Sequence, residues 1–215
     1  MIALLLSLAA VFVILLSAEL LWQNKKLSGE PGRKFVHISV GTFVAFWPFY
    51  MSFGYIQLAA LGFIAVVLAS RYLNVFRVVH AIDRHSWGDV LFALGIGIAA
   101  TFAARELIFT AAILHLSLAD GFAAIIGKSY SLKNTYSVLG SQKSIAGTIA
   151  FGLVSAAIIA AIMLAGQMPA GLIIAYAVIL PLAAMAAENV GTHGLDNIFV
   201  PVLVIVALNQ LQLAL

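Results

Sequence analysis

Long apolar stretches, broken only by short polar clusters, run from one end of the chain to the other. They fall at residues 2–21, 35–50, 55–70, 90–104, 107–126, 145–165, 170–187 and 198–215. A hydrocarbon core about 30 Å thick takes about 20 apolar residues in a helix, so this pattern predicts about eight membrane-embedded helices. The second, third and fourth stretches are short for a full crossing, which leaves open a re-entrant segment or a count of seven. The turn at Arg105 and Glu106 is the weakest boundary. No linker, repeat or change of composition divides the chain, so residues 1–215 read as a single integral membrane domain. The predicted fold class is all-α, a polytopic transmembrane helix bundle of about 7–8 spans.

Composition excludes other classes. Hydrophobic residues make up 64% of the 215 positions and charged residues 9%, against about 45–50% and about 25% in soluble domains. A soluble monomer and a disordered chain are both ruled out. With no cysteine, disulfides, thiolate chemistry and Cys-based metal sites are excluded. The net charge of +3 comes from cations scattered between apolar segments, which suits membrane topology and gives no basic patch for nucleic acid.

The positions of those charges predict an orientation. With eight spans, Lys25, Lys26, Arg33, Lys34, Arg71, Arg77, Arg84, Lys128, Lys133 and Lys143 share one side and Arg105 the other. The positive-inside rule puts the first group in the cytoplasm and both termini outside; an odd count would move the C-terminus inside. The first stretch lacks a basic leader and precedes Lys25 and Lys26, so it reads as a retained anchor rather than a cleaved signal. Glu19, Glu30, Asp83, Asp89, Asp120, Glu188 and Asp196 also fall on the cytoplasmic side, with Glu106 opposite. A carrier needs ionisable groups along a path through the membrane. Here they gather at one face, where a charged soluble ligand meets something dissolved in lipid.

Four clusters are candidates for chemistry. The first is Arg33, Lys34 and His37 at the entry to the second span. Helical spacing puts Arg33 and His37 on one face and Lys34 on another. Glu19, inside an apolar run, needs a partner, and this cluster supplies the natural ones. The second runs from Asp120 and Gly121 to Gly127 and Lys128. Ala119, Ala123 and Gly127 form a small-residue stripe suited to close helix packing, which does not explain Asp120. Asp120 with Lys128 suits Mg2+ or phosphate, and His115, deeper in the span, reads as a hydrogen-bonded core histidine. The segment is not a Walker A loop: five residues separate Gly121 from Gly127 where the motif needs four, and no strand precedes it.

The third cluster ends the polar segment 128–144 and leads into the sixth span through Ser141, Lys143, Ser144, Gly147 and Thr148. Ser141 or Ser144 can cap that helix, leaving backbone amides and Lys143 for an anion; an ordinary cap with a snorkelling lysine explains it equally well. The fourth holds Glu188, Asn189, Gly191, His193, Gly194, Asp196, Asn197 and Pro201. Its oxygen ligands suit Mg2+, and one histidine without cysteine argues against zinc. The segment around 71–89, with Tyr72, His80, Arg84, His85 and Trp87, reads as an interfacial amphipathic helix, the alternative being a lid.

In this order the four blocks resemble the polyprenol kinase family of dolichol kinases, phytol kinases and CTP-dependent diacylglycerol kinases. The blocks are Arg33-Lys34-x-x-His37, Asp120-Gly121-Phe122-Ala123-Ala124-x-x-Gly127-Lys128, Lys143-Ser144-Ile145-Ala146-Gly147-Thr148, and Glu188 followed by His193-Gly194-Leu195-Asp196-Asn197-x-x-x-Pro201. The resemblance spans Glu19 to Pro201. Thr148 stands where the family often has Ser, and 130–139 lacks a glycine soon after Tyr130. The resemblance implies transfer of the γ-phosphate of CTP, or UTP, to the hydroxyl of a membrane lipid alcohol with Mg2+. The second and third blocks are also similar to CDP-diacylglycerol synthases, so a cytidylyltransferase is the alternative. A solute or lipid transporter is the alternative from another class, for which the sixth and seventh spans are too featureless.

Phosphoryl transfer needs positioning and charge neutralisation more than covalent chemistry. The expected roles are metal binding by Asp120, Asp196 and Glu188, with one of the two aspartates also accepting the lipid hydroxyl proton. Phosphate binding falls to Arg33, Lys34, Lys128, Lys143, Ser144 and Gly147. His37 completes the pocket, Glu19 orients the basic cluster, and Asn197 and His193 support the metal site. Asp120→Asn or Asp196→Asn is expected to abolish transfer with expression and detergent behaviour normal. The lipid acceptor and the oligomeric state are not encoded in any of these features.

Overall fold

The computed structural model describes residues 1–24, 30–73, 87–130 and 134–213. Among them, eight helices follow the apolar stretches: α1 Ile2–Gln23, α2 Glu30–Ala45, α3 Phe53–Leu73, α4 Gly88–Phe102, α5 Glu106–Tyr130, α6 Ile145–Ala165, α7 Ala170–Val190 and α8 Asp196–Leu213. Five of them, α1, α3, α5, α6 and α7, are long and apolar enough to cross a membrane. The third stretch, expected to be short, forms a 21-residue helix, whereas α2 and α4 stay short at 16 and 15 residues. Lys25, Lys26, Arg77, Asp83, Arg84 and Lys133, and the interfacial-helix expectation at His80, Arg84 and His85, lie outside the described residues.

Successive helices alternate in direction. At one end, Thr110 at the start of α5 donates to Ala45 O at the end of α2 (2.8 Å), and Gln57 early in α3 donates to Ala100 O late in α4 (3.2 Å). At the other end, Asn197 at the start of α8 donates to Gly88 O at the start of α4 (3.3 Å). Alternation therefore brings the N-termini of α2, α4, α6 and α8 to a common end. Arg105 precedes α5 and lies about 36 Å from that helix's other end, by rise per residue, so it stands apart from Lys128 as the charge pattern required.

The helix α5 is the axis of the bundle, the most buried of the five long apolar helices, whereas α7 is the least buried. Its neighbours bury small and medium side chains such as Ala111, Ala112, Ile113, Leu116 and Ala119, as expected where close packing replaces the hydrophobic effect between helices. Outward-facing Leu153, Ile174, Ile179 and Leu182 are exposed, which suits lipid contact. The turn between α4 and α5 is clipped by Asn209, whose Nδ2 donates to Phe102 O (2.8 Å) while its Oδ1 accepts Ala104 N–H (3.1 Å).

Two departures from a plain helical bundle shape one end. First, α5 carries a π-turn at His115–Ala119, where the Asp120 N–H reaches back five residues to His115 O. The extra residue rotates everything after it, and such turns re-aim side chains at functional positions. His115 is buried there as expected, bonded to Ala111 O and Ser155 Oγ, each at 2.8 Å. Second, the polar segment before α6 forms a small antiparallel hairpin, β1 Thr135–Val138 and β2 Ser141–Ser144, within the otherwise all-α bundle. Leu139 and Gly140 both have positive φ (47° and 79°), the backbone of a two-residue type I′ turn, which explains the glycine.

Close helix approaches account for several glycines. A Cβ on Gly147 of α6 would lie 2.7 Å from Ala123 O and 3.2 Å from Gly127 Cα of α5, both backbone atoms that cannot move aside. A Cβ on Gly127 would meet nothing nearer than 3.4 Å. Gly147→Ala is therefore expected to destabilise the protein by about 1–3 kcal/mol through forced separation of α5 and α6. Gly127→Ala should be neutral or stabilising, because alanine suits a helix better. Thermal unfolding of the two variants in the same detergent checks the contrast.

Candidate functional site

The groups that the sequence scatters over four clusters meet at the end where α2, α4, α6 and α8 begin. On α2, the one-turn spacing of Lys34 and His37 brings both to Asp120 of α5. Lys34 Nζ lies 2.5 Å from Asp120 Oδ2, and His37 Nε2 lies 3.2 Å from the same oxygen. The expected pairing of faces is thus revised: residues three apart share this contact, and Lys34, placed elsewhere by the four-residue spacing of Arg33 and His37, is central to it. Lys34 is only 4% exposed, so its charge depends on Asp120. Arg33, on the same helix, is half-buried.

His37 also lies 2.7 Å from Leu116 O. A carbonyl only accepts, so Nε2 carries the hydrogen and presents it to both Leu116 O and Asp120, leaving Nδ1 as the lone-pair nitrogen of the neutral ring. Phe92 of α4 packs on the imidazole, with ring centroids 4.1 Å apart. Asp120 is thus held on one oxygen, Oδ2, by a lysine and a histidine.

A second pair lies beside it. Lys143, on β2, donates to Glu188 Oε1 at 2.5 Å and to Glu188 O at 3.0 Å, at the C-terminal end of α7. The other carboxylate oxygen, Glu188 Oε2, is buried without a hydrogen-bond partner. Asp196 opens α8, and its Oδ1 accepts the Asn197 N–H at 3.0 Å. It is close enough to Asp120, Lys34, Lys143 and Glu188 for each of those charges to act on it. Two buried or half-buried ion pairs and one further carboxylate thus share the bundle end.

Gly191 makes this crowding possible. A Cβ there would sit 2.4 Å from Asp196 N, so only glycine lets the chain close tightly between α7 and α8 and set Glu188 near Asp196. Gly194, with φ +96°, lies against the Gly88 backbone, where a Cβ would be 2.7 Å from Gly88 Cα. Pro201 of α8 has no N–H, which frees Asn197 O from its usual helical donor. Gly95 of α4 packs on that carbonyl, 2.4 Å from where its Cβ would be.

Several of the expected site residues make structural contacts of their own. Asn197 is buried and its amide donates to Gly88 O (3.3 Å) and Gly194 O (3.1 Å), tying α8 to α4. His193 is exposed in the turn and faces Thr192 Oγ1 at 3.2 Å. Ser144 is the α6 cap, accepting Gly147 N–H at 3.0 Å, and Gly147 is a helix-crossing residue. Lys143 turns to Glu188. Lys128 is exposed at the end of α5. Glu19 accepts from Gln23 at 3.4 Å, while Lys34 and His37, two of its expected partners, turn to Asp120. Among the described residues, no three His, Asp or Glu side chains gather as a ligand set; Asp120 and Glu188 face lysines instead.

The sequence reading missed the hairpin's own anchor. Tyr136 Oη lies 2.5 Å from Thr148 Oγ1 of α6 and 2.5 Å from Asn189 Oδ1 of α7. The available signal was a Tyr-x-Val alternation running into Leu139-Gly140, a hairpin pattern inside a segment read as loop.

The chain is 30% identical over 203 residues to a phytol kinase of Synechocystis sp., an alignment covering 90% of this chain and 85% of that protein. No family model matches the chain, and no solved structure matches it. On that identity and coverage the chain belongs to the polyprenol kinase family.

Proposed function

We propose that this protein transfers the γ-phosphate of a nucleoside triphosphate, CTP before UTP, to the hydroxyl of a lipid alcohol at the cytoplasmic face of the membrane. The observation that carries the reading is the pairing of Lys34 with Asp120 and Lys143 with Glu188 at one end of an otherwise apolar bundle. Charged groups are costly at membrane depth and are kept there for a ligand or a reaction. A triphosphate supplies the anion that both lysines are suited to meet, and four helix N-termini at this end add favourable partial charge.

The donor chemistry fits Mg2+. Glu188 Oε2 is a buried oxygen without a partner, and Asp196 stands near it with only Oδ1 engaged by its own helix. Mg2+ takes one or two carboxylates and completes its shell with water and phosphate oxygens, so a three-carboxylate cage is not required. Glu188 and Asp196 would hold it, and it would neutralise charge on the phosphate oxygens. Lys143 would exchange its contact with Glu188 for a phosphate oxygen. On the apolar side, Lys34 and His37 fix Asp120 through Oδ2, which leaves Oδ1 to accept the proton of the lipid hydroxyl as it attacks phosphorus.

The test uses purified protein with Mg2+, CTP labelled at the α or the γ phosphate, and phytol, a polyprenol, diacylglycerol or, as the acceptor a cytidylyltransferase needs, a lipid phosphate. Label from γ alone is expected in the lipid phase. Label from α alone would make the protein a cytidylyltransferase. If neither label enters lipid and the protein moves solute or lipid across liposomes, it is a transporter.

A further inference from the structure

We infer that Tyr136 is a positioning residue for nucleotide binding: its hydroxyl fastens the hairpin to α6 and α7 and thereby sets where Lys143 points. This rests on the reading of Lys143 as a phosphate ligand given above. The hairpin is short, and its second strand runs directly into α6 at Ser144. Tyr136 and Lys143 are directly opposite one another in its register. Opposed residues of an antiparallel pair project from the same face, so whatever holds the tyrosine also orients the lysine.

The hydrogen-bond directions are determined by the groups present. Asn189 Nδ2 donates to Met185 O at 2.8 Å, which identifies its Oδ1 as the atom facing Tyr136. An amide oxygen only accepts, so the Tyr136 hydroxyl gives its single hydrogen to Asn189. Its contact with Thr148 must then run the other way, with the threonine donating. The chain Thr148 to Tyr136 to Asn189 is thereby directional, and it spans the hairpin, α6 and α7. Asn189 adjoins Glu188, the residue that meets Lys143. One phenol thus fixes both sides of the Lys143–Glu188 pair, the lysine across the hairpin and the glutamate along α7.

Removing the hydroxyl leaves the ring and the backbone in place. It frees the hairpin to shift over a site where a phosphate contact depends on the lysine's position. The experiment measures steady-state transfer with CTP and a lipid alcohol varied separately, for the wild type, Tyr136→Phe, Thr148→Val and Thr148→Ser. Wild-type transfer is the control on the functional reading; without it that reading fails, independently of any tyrosine effect. With it, Tyr136→Phe is expected to raise the KM for CTP about tenfold or more, the scale of the hydrogen bonds lost with the hydroxyl, with the KM for the lipid unchanged. Thr148→Val should do the same, and Thr148→Ser, which keeps the donor, should match the wild type. An unchanged KM for CTP in Tyr136→Phe overturns the inference, as does a loss that falls equally on both substrates. If Tyr136→Phe fails to fold, the contrast between Thr148→Val and Thr148→Ser decides by the same criteria.

Discussion

Asp196→Asn should abolish phosphoryl transfer while leaving a folded protein. The side chain is half-buried in the first turn of α8, and its Oδ1 accepts the Asn197 N–H at 3.0 Å and, more loosely, Asn197 Nδ2 at 3.5 Å. Asparagine keeps an acceptor oxygen and nearly the same volume, and it serves a helix start as well as aspartate does. What changes is the charge. In the proposed mechanism that charge faces the metal and the phosphates, so transfer should fall by about a hundredfold or more, the scale of losing one preorganised electrostatic contact in a catalytic site. The rate of label transfer from γ-labelled CTP measures the loss, and thermal unfolding in detergent, expected to match the wild type, shows that the fold is intact. Wild-type activity in a folded Asp196→Asn protein would remove Asp196 from the site.

Helix number and the gathering of charges at one end were legible in the sequence because both follow from composition along a line. An apolar run must be a helix in a membrane, since no other single segment satisfies its own backbone. The details that make the site depend on contacts between distant segments. Lys34 and His37 were assigned to different faces by counting along α2 alone; Asp120 draws them together across 86 and 83 residues of chain. The π-turn before Asp120 left no periodic signal, because one extra backbone residue changes a rotation and no residue type marks it. The hairpin was read as loop because each of its strands has only four residues. Asn197 and His193 were grouped with the acids because they neighbour Asp196 in sequence, yet the Asn197 amide donates mainly to the Gly88 and Gly194 carbonyls and His193 is exposed in the turn. Proximity along the chain predicted the cluster and not its wiring.

Asp120→Asn is the substitution for which the structure changes the expected outcome most. From the sequence it should silence the protein and leave expression normal. In the structure, Asp120 is the counter-charge of a lysine that is 4% exposed. An asparagine oxygen still accepts a hydrogen bond but leaves the Lys34 charge buried and uncompensated. Breaking one side of a buried ion pair costs about 3–5 kcal/mol, whereas replacing both sides with apolar groups is often neutral or better. Asp120→Asn is therefore expected to lose transfer and also to unfold at markedly lower temperature in detergent. Lys34→Met combined with Asp120→Leu should recover most of the stability and none of the transfer. His37 keeps its bond to Leu116 O in that double variant, so the recovery isolates the ion pair. If Asp120→Asn melts with the wild type, Lys34 is not being held charged by Asp120, and the pair cannot serve as the fixed anchor of the lipid-side half of the site. If the double variant regains both stability and transfer, Asp120 has no part in the chemistry. Stability restored without activity is the result that separates what the pair does for the reaction from what it does for the fold.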